Sequence, residues 1–269
     1  MRSFNDQLGR QVLVKEFPKR IISLVPSQTE LLANIGLESE VVGITKFCVH
    51  PNEWFRNKTR VGGTKQVKLD VINELQPDLI IANKEENTKE QIEALAAEFP
   101  VWVSDVYDLD SAFQMIAGVG EITGRTRETG ELLGRIKTNF EKLNSPANNP
   151  LKAAYFIWRK PYMVAGGDTF ISKMMEKAGF ENVYNSIDRY PEINLRALKE
   201  LSPDCILLSS EPYPFKEKHV ENFKEEFPNA KVLIVDGEYF SWYGSRLEFA
   251  PEYFERVQNR INESSNNNN

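Results

Sequence analysis

Residues 20–37 read RIISLVPSQTELLANIGL, and this stretch decides the fold. Ile21, Ile22, Leu24 and Val25 form a short, almost unbroken apolar run, the pattern of a strand buried on both faces. Pro26 ends it, because proline offers no N–H to a ladder and biases its predecessor toward extended backbone. Ser27 and Glu30 have the spacing of a capping box, with Ser27 as the N-cap. The helix that follows buries Leu31, Leu32 and Ile35 and stops at Gly36. A buried strand, a tight polar turn and a helix starting beyond the strand's carboxyl end make up one unit of an open α/β sheet. Ligands of such sheets bind at that end. Taken on its own, the stretch reads first as an ordinary βα unit without a site.

Working outward, the same alternation continues. Before the stretch, QVLV at 11–14 follows a Leu8-Gly9 turn signal and predicts a small strand or hairpin. After it come a strand at 41–45, a loop at 46–65, a short helix at 69–75, a strand at 78–83, a helix at 89–99 and a strand at 101–106. This is the pattern of a parallel sheet flanked by helices. Apolar residues then recur at helical spacing through 111–124 and 126–143 with no strand between, which ends the first sheet. NSPANNP at 144–150 is a linker by composition. Alternation resumes with strands at 153–158, 205–210 and 231–236, and helices at 170–178, 195–201, 219–227 and 248–261. The two halves repeat each other. ELQPDLI at 74–80 returns as ELSPDCI at 200–206, and EFP at 98–100 returns as EFP at 226–228. Two matches in the same order argue for two similar α/β lobes with mainly parallel sheets, joined by a single long helix. The expected boundaries are an N-terminal lobe over 1–124, the joining helix over 125–145, a C-terminal lobe over 146–263 and a disordered polar tail over 264–269.

Composition narrows the function. A net charge of −6 without a basic run excludes a nucleic-acid binder. The apolar runs fall far short of the ~20 residues that span a bilayer. The first ten residues, MRSFNDQLGR, lack the apolar core of a secretory signal, so the chain as written is expected in the cytoplasm, and at the periplasm or cell surface if a signal has been removed. Two cysteines, Cys48 and Cys205, make no disulfide framework. There is no G-x-x-x-x-G-K-[ST] loop, no H-E-x-x-H and no G-x-S-x-G elbow. Gly118-Val-Gly120 lies within a helical pattern and does not follow a strand, so it fails as a dinucleotide fingerprint. With His50 and His219 as the only histidines, histidine-based acid–base catalysis has few candidates.

The suggestive groups are aromatic and follow strands. Phe47, Cys48, His50 and Trp54 follow the second strand of the first half. Trp158, Arg159 and Tyr162 follow 153–156. Tyr239, Phe240, Trp242, Tyr243 and Arg246 follow 231–236 in what reads as a loop. Wide apolar surfaces with a few cations suit a large, flat, acid-bearing ligand. His50 can supply an axial nitrogen to a metal macrocycle, since imidazole suits cobalt and iron; a plain surface histidine is the alternative.

RIISLVPSQTELL, VVGITKFCVHP, INELQPDLIIANKEEN, GFENVYN and DGEYFSWYGSR occur in the order found in the helical-backbone metal receptor family of substrate-binding proteins, and the chain most resembles its cobalamin-binding branch. The resemblance implies two α/β lobes with ligand in the cleft between them, no intrinsic cofactor, no catalysis, and delivery to an ABC transporter permease by a monomer. The ligand it implies is cobalamin or another corrinoid, with haem or a ferric siderophore as alternatives. Carried over by position, it implies ligand contacts at Pro26 and Ser27, at residues 166–169, and at Asp236, Phe240, Trp242 and Arg246. Phe47, Trp158 and Arg159 join them from the residue reading, and His50 as the metal contact. In the relatives a glutamate on each lobe docks on permease arginines; here the matching positions hold Lys89 and Arg196. An intracellular corrinoid- or haem-handling protein or enzyme on the same scaffold is the competing reading.

Overall fold

The computed structural model describes residues 1–143 and 150–266. The chain divides into two compact units, one holding Met1–Val106, Asp110–Arg135 and Trp242–Arg246, the other Tyr107–Leu109, Ile136–Ser241 and Leu247 onward.

In the first unit a hairpin of β1 (Arg2–Asn5) and β2 (Gln11–Val14) precedes the alternating run. That run comprises β3 (Ile21–Ser23), α1 (Pro26–Asn34), β4 (Val41–Ile44), α2 (Asn52–Asn57), β5 (Thr59–Arg60), α3 (Leu69–Leu75), β6 (Leu79–Asn83), α4 (Lys89–Ala96) and β7 (Val101–Ser104). The helices α5 (Leu109–Thr123) and α6 (Thr126–Lys142) follow, and the division between the units falls inside α6. The five-stranded sheet is parallel throughout, in the order β5-β4-β3-β6-β7. Strand order therefore reverses beside β3, the opening stretch, and a crevice forms where β3 and β6 end. Ile21 and Ile22 are both fully buried, as a strand covered on both faces requires.

The second unit contains β8 (Leu151–Trp158), β9 (Met163–Val164), α7 (Phe170–Lys177), β10 (Phe180–Asn182), α8 (Leu195–Glu200), β11 (Cys205–Ser209), α9 (Glu217–Glu226), β12 (Lys231–Val235), α10 (Glu238–Ser241), a 3₁₀ turn (Ser245–Glu248) and α11 (Ala250–Asn266). Its sheet runs β10-β8-β11-β12 in parallel, with β9 antiparallel on β8, so order reverses between β8 and β11. The fold is mixed α/β built on parallel sheets, as the alternation predicts.

The sequence repeat has one physical meaning in both units. α3 ends on Gln76 in the left-handed conformation (φ 43°), and α8 is followed by Ser202 in the same state (φ 48°). The Pro-Asp that follows aims a carboxylate at the head of the neighbouring central strand. Asp78 accepts from the backbone N–H groups of Lys19 and Arg20, both at 2.8 Å, and Asp204 accepts from Lys152 N–H at 2.8 Å. Phe99 and Phe227, from the repeated EFP, pack on the two respective cores.

Three local expectations change. The capping box is absent, because α1 starts at Pro26 with Val25 as its N-cap and no side-chain cap. Proline at the first helical position has its φ already set and loses no hydrogen bond, while Glu30 pairs with Arg246 instead. The 46–65 loop contains α2 and β5, six and two residues long, too short to register as periodicity. The segment read as a loop after β12 is largely α10 and the 3₁₀ turn. The expected linker falls on 144–149, outside the described residues. Of the tail, 264–266 continue α11 as helix, and 267–269 lie outside the described residues.

The hairpin closes a sheet edge. β7 is an outer strand, and its free backbone groups are met by the hairpin turn: Gln7 N–H donates to Val103 O at 3.1 Å, Val103 N–H to Asp6 Oδ2 at 3.3 Å, and Asp105 N–H to Gln7 Oε1 at 3.0 Å. Gly118 and Gly120 lie inside α5, where a Cβ would sit 2.9 Å from Trp102 Cζ2 and 2.1 Å from Thr129 Oγ1, so they serve close packing.

Candidate functional site

In the first unit the crevice beside β3 is filled by side-chain amides. Asn83 Nδ2 donates to Ser104 Oγ at 2.9 Å, its Oδ1 accepts from the N–H groups of Glu85 and Glu86, and Asn87 donates to Thr64 O at 2.9 Å. Gln28, fully buried, donates to Ser104 Oγ, and its Oε1 has no partner among the described residues. Burial raises the Glu86 carboxyl above the usual range, against the pull of Lys65. The crevice is polar, and apart from Gln28 Oε1 the amide groups named here are bonded within the unit.

Over the first turn of α1 lies the segment Trp242–Arg246. Gly244 comes so close that a Cβ there would sit 2.7 Å from Ser27 O. Arg246 makes a two-pronged bond to Glu30, Nε to Oε2 at 3.1 Å and Nη2 to Oε1 at 2.6 Å, and its guanidinium lies 5.0 Å from the centre of the Trp242 ring. His50 meets that ring edge-on at 5.6 Å. Ser27 is buried and Pro26 half-buried in this contact region. Trp242 is 6% exposed, so it is chiefly a packing group. Phe47 stands out to solvent at 51% exposure, with Lys46 Nζ 5.0 Å from its ring. Cys48 is buried between Thr29 Oγ1 at 3.0 Å and Thr45 Oγ1 at 3.1 Å; burial pushes its thiol pKa up, so it stays protonated and is not poised as a thiolate ligand.

In the second unit the reversal point lies at the ends of β8 and β11. Trp158 is 39% exposed, its indole N–H donates to Lys160 O at 3.1 Å, and its ring meets Tyr213 edge-on at 5.7 Å. Tyr213 N–H reaches Ile157 O at 3.3 Å, which fixes the loop after β11 against the end of β8. Arg159 is half-buried beside them in sequence. Glu211, at the same strand end, accepts from Ser241 Oγ at 3.0 Å, and Ser209 Oγ donates to its carbonyl at 2.5 Å. The fully buried Tyr155 hydroxyl donates to Ser209 Oγ at 3.1 Å; burial holds its pKa well above the usual phenol value.

Two residues carried over by position have other tasks. Phe240 is fully buried among Tyr155, Phe254 and Tyr253, with centroids 5.2, 4.9 and 6.3 Å away, and so is a core side chain. Asp236 accepts from Glu238 N–H at 3.1 Å and shapes the turn into α10. In the 166–169 loop, a Cβ on Gly166 would lie 2.2 Å from Ile187 O and one on Gly167 1.9 Å from Asn185 O, so both glycines answer to backbone crowding. Sequence reasoning missed Glu30 as the partner of Arg246, and Tyr213 as the partner of Trp158. Aromatic residues flanked by prolines in EPYPF at 211–215, just past a strand, were the signal for the second. Among the described residues no cluster of three or more His, Cys, Asp or Glu could hold a metal ion, and no helix is long and apolar enough to cross a membrane.

Known proteins resemble this chain along most of its length. A Bacillus subtilis protein described as an uncharacterised ABC transporter substrate-binding lipoprotein is 26% identical over 216 residues, covering 76% of this chain and 68% of its own. The vitamin B12-binding protein of Photorhabdus laumondii is 25% identical over 239 residues, covering 87% of this chain and 86% of its own. Among solved structures, the molybdate periplasmic binding protein MolA of Haemophilus influenzae superposes with a TM-score of 0.81 at 17% identity, covering 98% of this chain and 93% of that one. The periplasmic haem-binding protein RhuT of Roseiflexus sp. RS-1 gives 0.76 at 20%, covering 88% and 98%. These structural likenesses bear on fold. The periplasmic binding protein family matches residues 21–230, and the chain belongs to that family.

Proposed function

We propose that this protein is the substrate-binding component of an ABC-type importer and holds a corrinoid, or a related metal chelate such as haem or a ferric siderophore, against aromatic side chains at the carboxyl ends of its sheets. The observation that carries the reading is the exposed Trp158 with Tyr213 edge-on to it, at the strand-order reversal of the second unit. A large apolar ring left open at the place where open α/β sheets bind ligands is a contact surface for a flat ligand. The likeness to vitamin B12-binding proteins supports a corrinoid. Arg159 stays the cation for the ligand's polar periphery, and Phe47 and His50 are the contacts from the first unit. Arg246 acts indirectly, since its guanidinium is paired with Glu30.

The family and the lipoprotein relative support a place outside the cytoplasm, against the cytoplasmic expectation drawn from the first ten residues. Lys89 opens α4 and Arg196 lies in α8, both exposed. We read them as a docking surface that repels the arginines of permeases matched to acidic partners; tight, Glu90-dependent capture of a cobalamin-type permease would overturn that part. The ligand reading is tested by titrating the protein with a cobalamin, haem and a ferric siderophore while following visible absorbance. Saturable spectral change with one of them supports it, and none with any of the three removes it.

A further inference from the structure

His219 is almost fully buried at the start of α9, in the second unit, and neither the ligand reading nor the family likeness uses it. Its contacts are specific. Lys216 N–H donates to His219 Nδ1 at 2.8 Å, and His219 N–H donates back to Lys216 O at 2.7 Å, a reciprocal closure of the helix N-terminus. A ring nitrogen that accepts from an amide carries no proton, so the imidazole is neutral with its proton on Nε2. That Nε2 is buried and has no partner among the described residues. Tyr213 and Phe215, from the loop after β11, pack against the ring at 5.7 and 5.6 Å, and Tyr213 in turn meets Trp158.

We propose that His219 is a proton-sensitive catch on the 211–216 loop: neutral, it closes the first turn of α9 and supports the Tyr213–Trp158 face, and on protonation it releases both. Adding a proton to Nδ1 sets an N–H against the Lys216 N–H, turning the closing bond into a repulsion. It also places a cation in a buried site. The charged groups acting on the ring are Arg159 from the turn after β8 and Lys216 and Lys218 from the start of α9, all cations; Tyr213 is the titratable side chain in ring contact. Burial first, and these cations second, hold the imidazole pKa below its ordinary value of 6.5. The sign follows. The unfolded chain takes up the proton first, so the catch is fully effective above about pH 6.5 and is lost as pH falls through the lower, folded value. The catch rests on the proposed function only in naming Trp158 a ligand face; its geometry stands without any ligand.

The test uses the ligand-free protein. Amide and indole N–H resonances are followed by two-dimensional ¹⁵N NMR from pH 7.5 to 4.5. The Lys216 amide and the Trp158 indole should move together, with one midpoint below 6.5 that coincides with the titration of the His219 ring. His219→Gln keeps an acceptor at the third helical position and cannot titrate, so both resonances should stay flat. His50→Gln should leave the wild-type response intact. A Trp158 resonance that stays still while His219 titrates, midpoints that differ, or a wild-type response surviving in His219→Gln would each overturn the catch. The wild-type comparison of midpoints decides even if His219→Gln does not fold. Absence of metal-chelate binding with an intact catch would count against the ligand reading alone.

Discussion

The two units place a strand-order reversal at the carboxyl end of a parallel sheet, and they treat it in opposite ways. In the first, the crevice beside β3 is filled by bonded amides, and the turn at the start of α1 is covered by Trp242–Arg246. In the second, Trp158 stays 39% exposed, with its indole N–H on Lys160 O and the edge of Tyr213 against its ring. A shared topology marks where a ligand is able to bind, and side chains decide whether that place stays available. A tryptophan at the end of one strand and a tryptophan past the end of another look alike in sequence, yet one holds the fold and the other faces outward.

The largest effect expected is at Trp242. Its ring meets both His50 and the Arg246 guanidinium and is almost fully buried. Trp242→Ala should cost about 3–5 kcal/mol of unfolding free energy, the range for removing a buried tryptophan. Denaturant unfolding measures it, and a loss under ~1 kcal/mol would show that the first unit is as open there as the second.

Next in size is the Arg246–Glu30 pair. A two-pronged, charge-assisted contact between partly buried groups should show a coupling of about 1–2 kcal/mol in a double-mutant cycle of Arg246→Ala and Glu30→Ala. That coupling should change little between low and moderate salt, because the pair is largely shielded from solvent. Additive single mutants would mean that the pair does not hold the segment in place.

Trp158 is the counterpart in the second unit. Trp158→Ala should leave unfolding free energy within about 1 kcal/mol while weakening binding of the metal chelate by more than ~1 kcal/mol, as for an aromatic anchor. The reverse pattern, lost stability with affinity kept, would make both units closed and remove the comparison.

Much of this was legible in the sequence, and the reasons differ by level. Strand and helix alternation depends on local periodicity, so β3, α1, β6 and α4 could be read directly. The ELQPD and ELSPD repeats encode a left-handed cap and an aspartate that bonds a strand head, both local chemistry, and so they survived as repeats. What could not be read depends on residues distant in sequence. Glu30 looked like a capping partner for Ser27 because they are neighbours, and only the fold brings Arg246 to it. Phe240 and Trp242 stand two positions apart after β12, and the turn into α10 sends the first into the core of one unit and the second to the other. The spacing of aromatics past a strand cannot separate such outcomes, because burial is set by what packs against them.

The smallest effect expected concerns His50, and it sharpens the comparison from the first unit's side. His50 is half-buried, with its ring edge-on to Trp242 at 5.6 Å. Removing one aromatic partner of this kind costs about 0.5–1.5 kcal/mol beyond its buried area, so His50→Ala should lower stability by roughly that much and leave the fold intact. If the imidazole also ligates cobalt or iron, the same variant should shift the visible spectrum of the complex, since an axial nitrogen sets the metal's electronic environment. The two readouts separate the roles. A stability loss with an unchanged spectrum would make His50 a support for Trp242 and leave ligand recognition to the second unit. A spectral shift would show that the closed unit still offers the ligand a nitrogen at its rim, with Trp242 buried behind it to hold the ring in place.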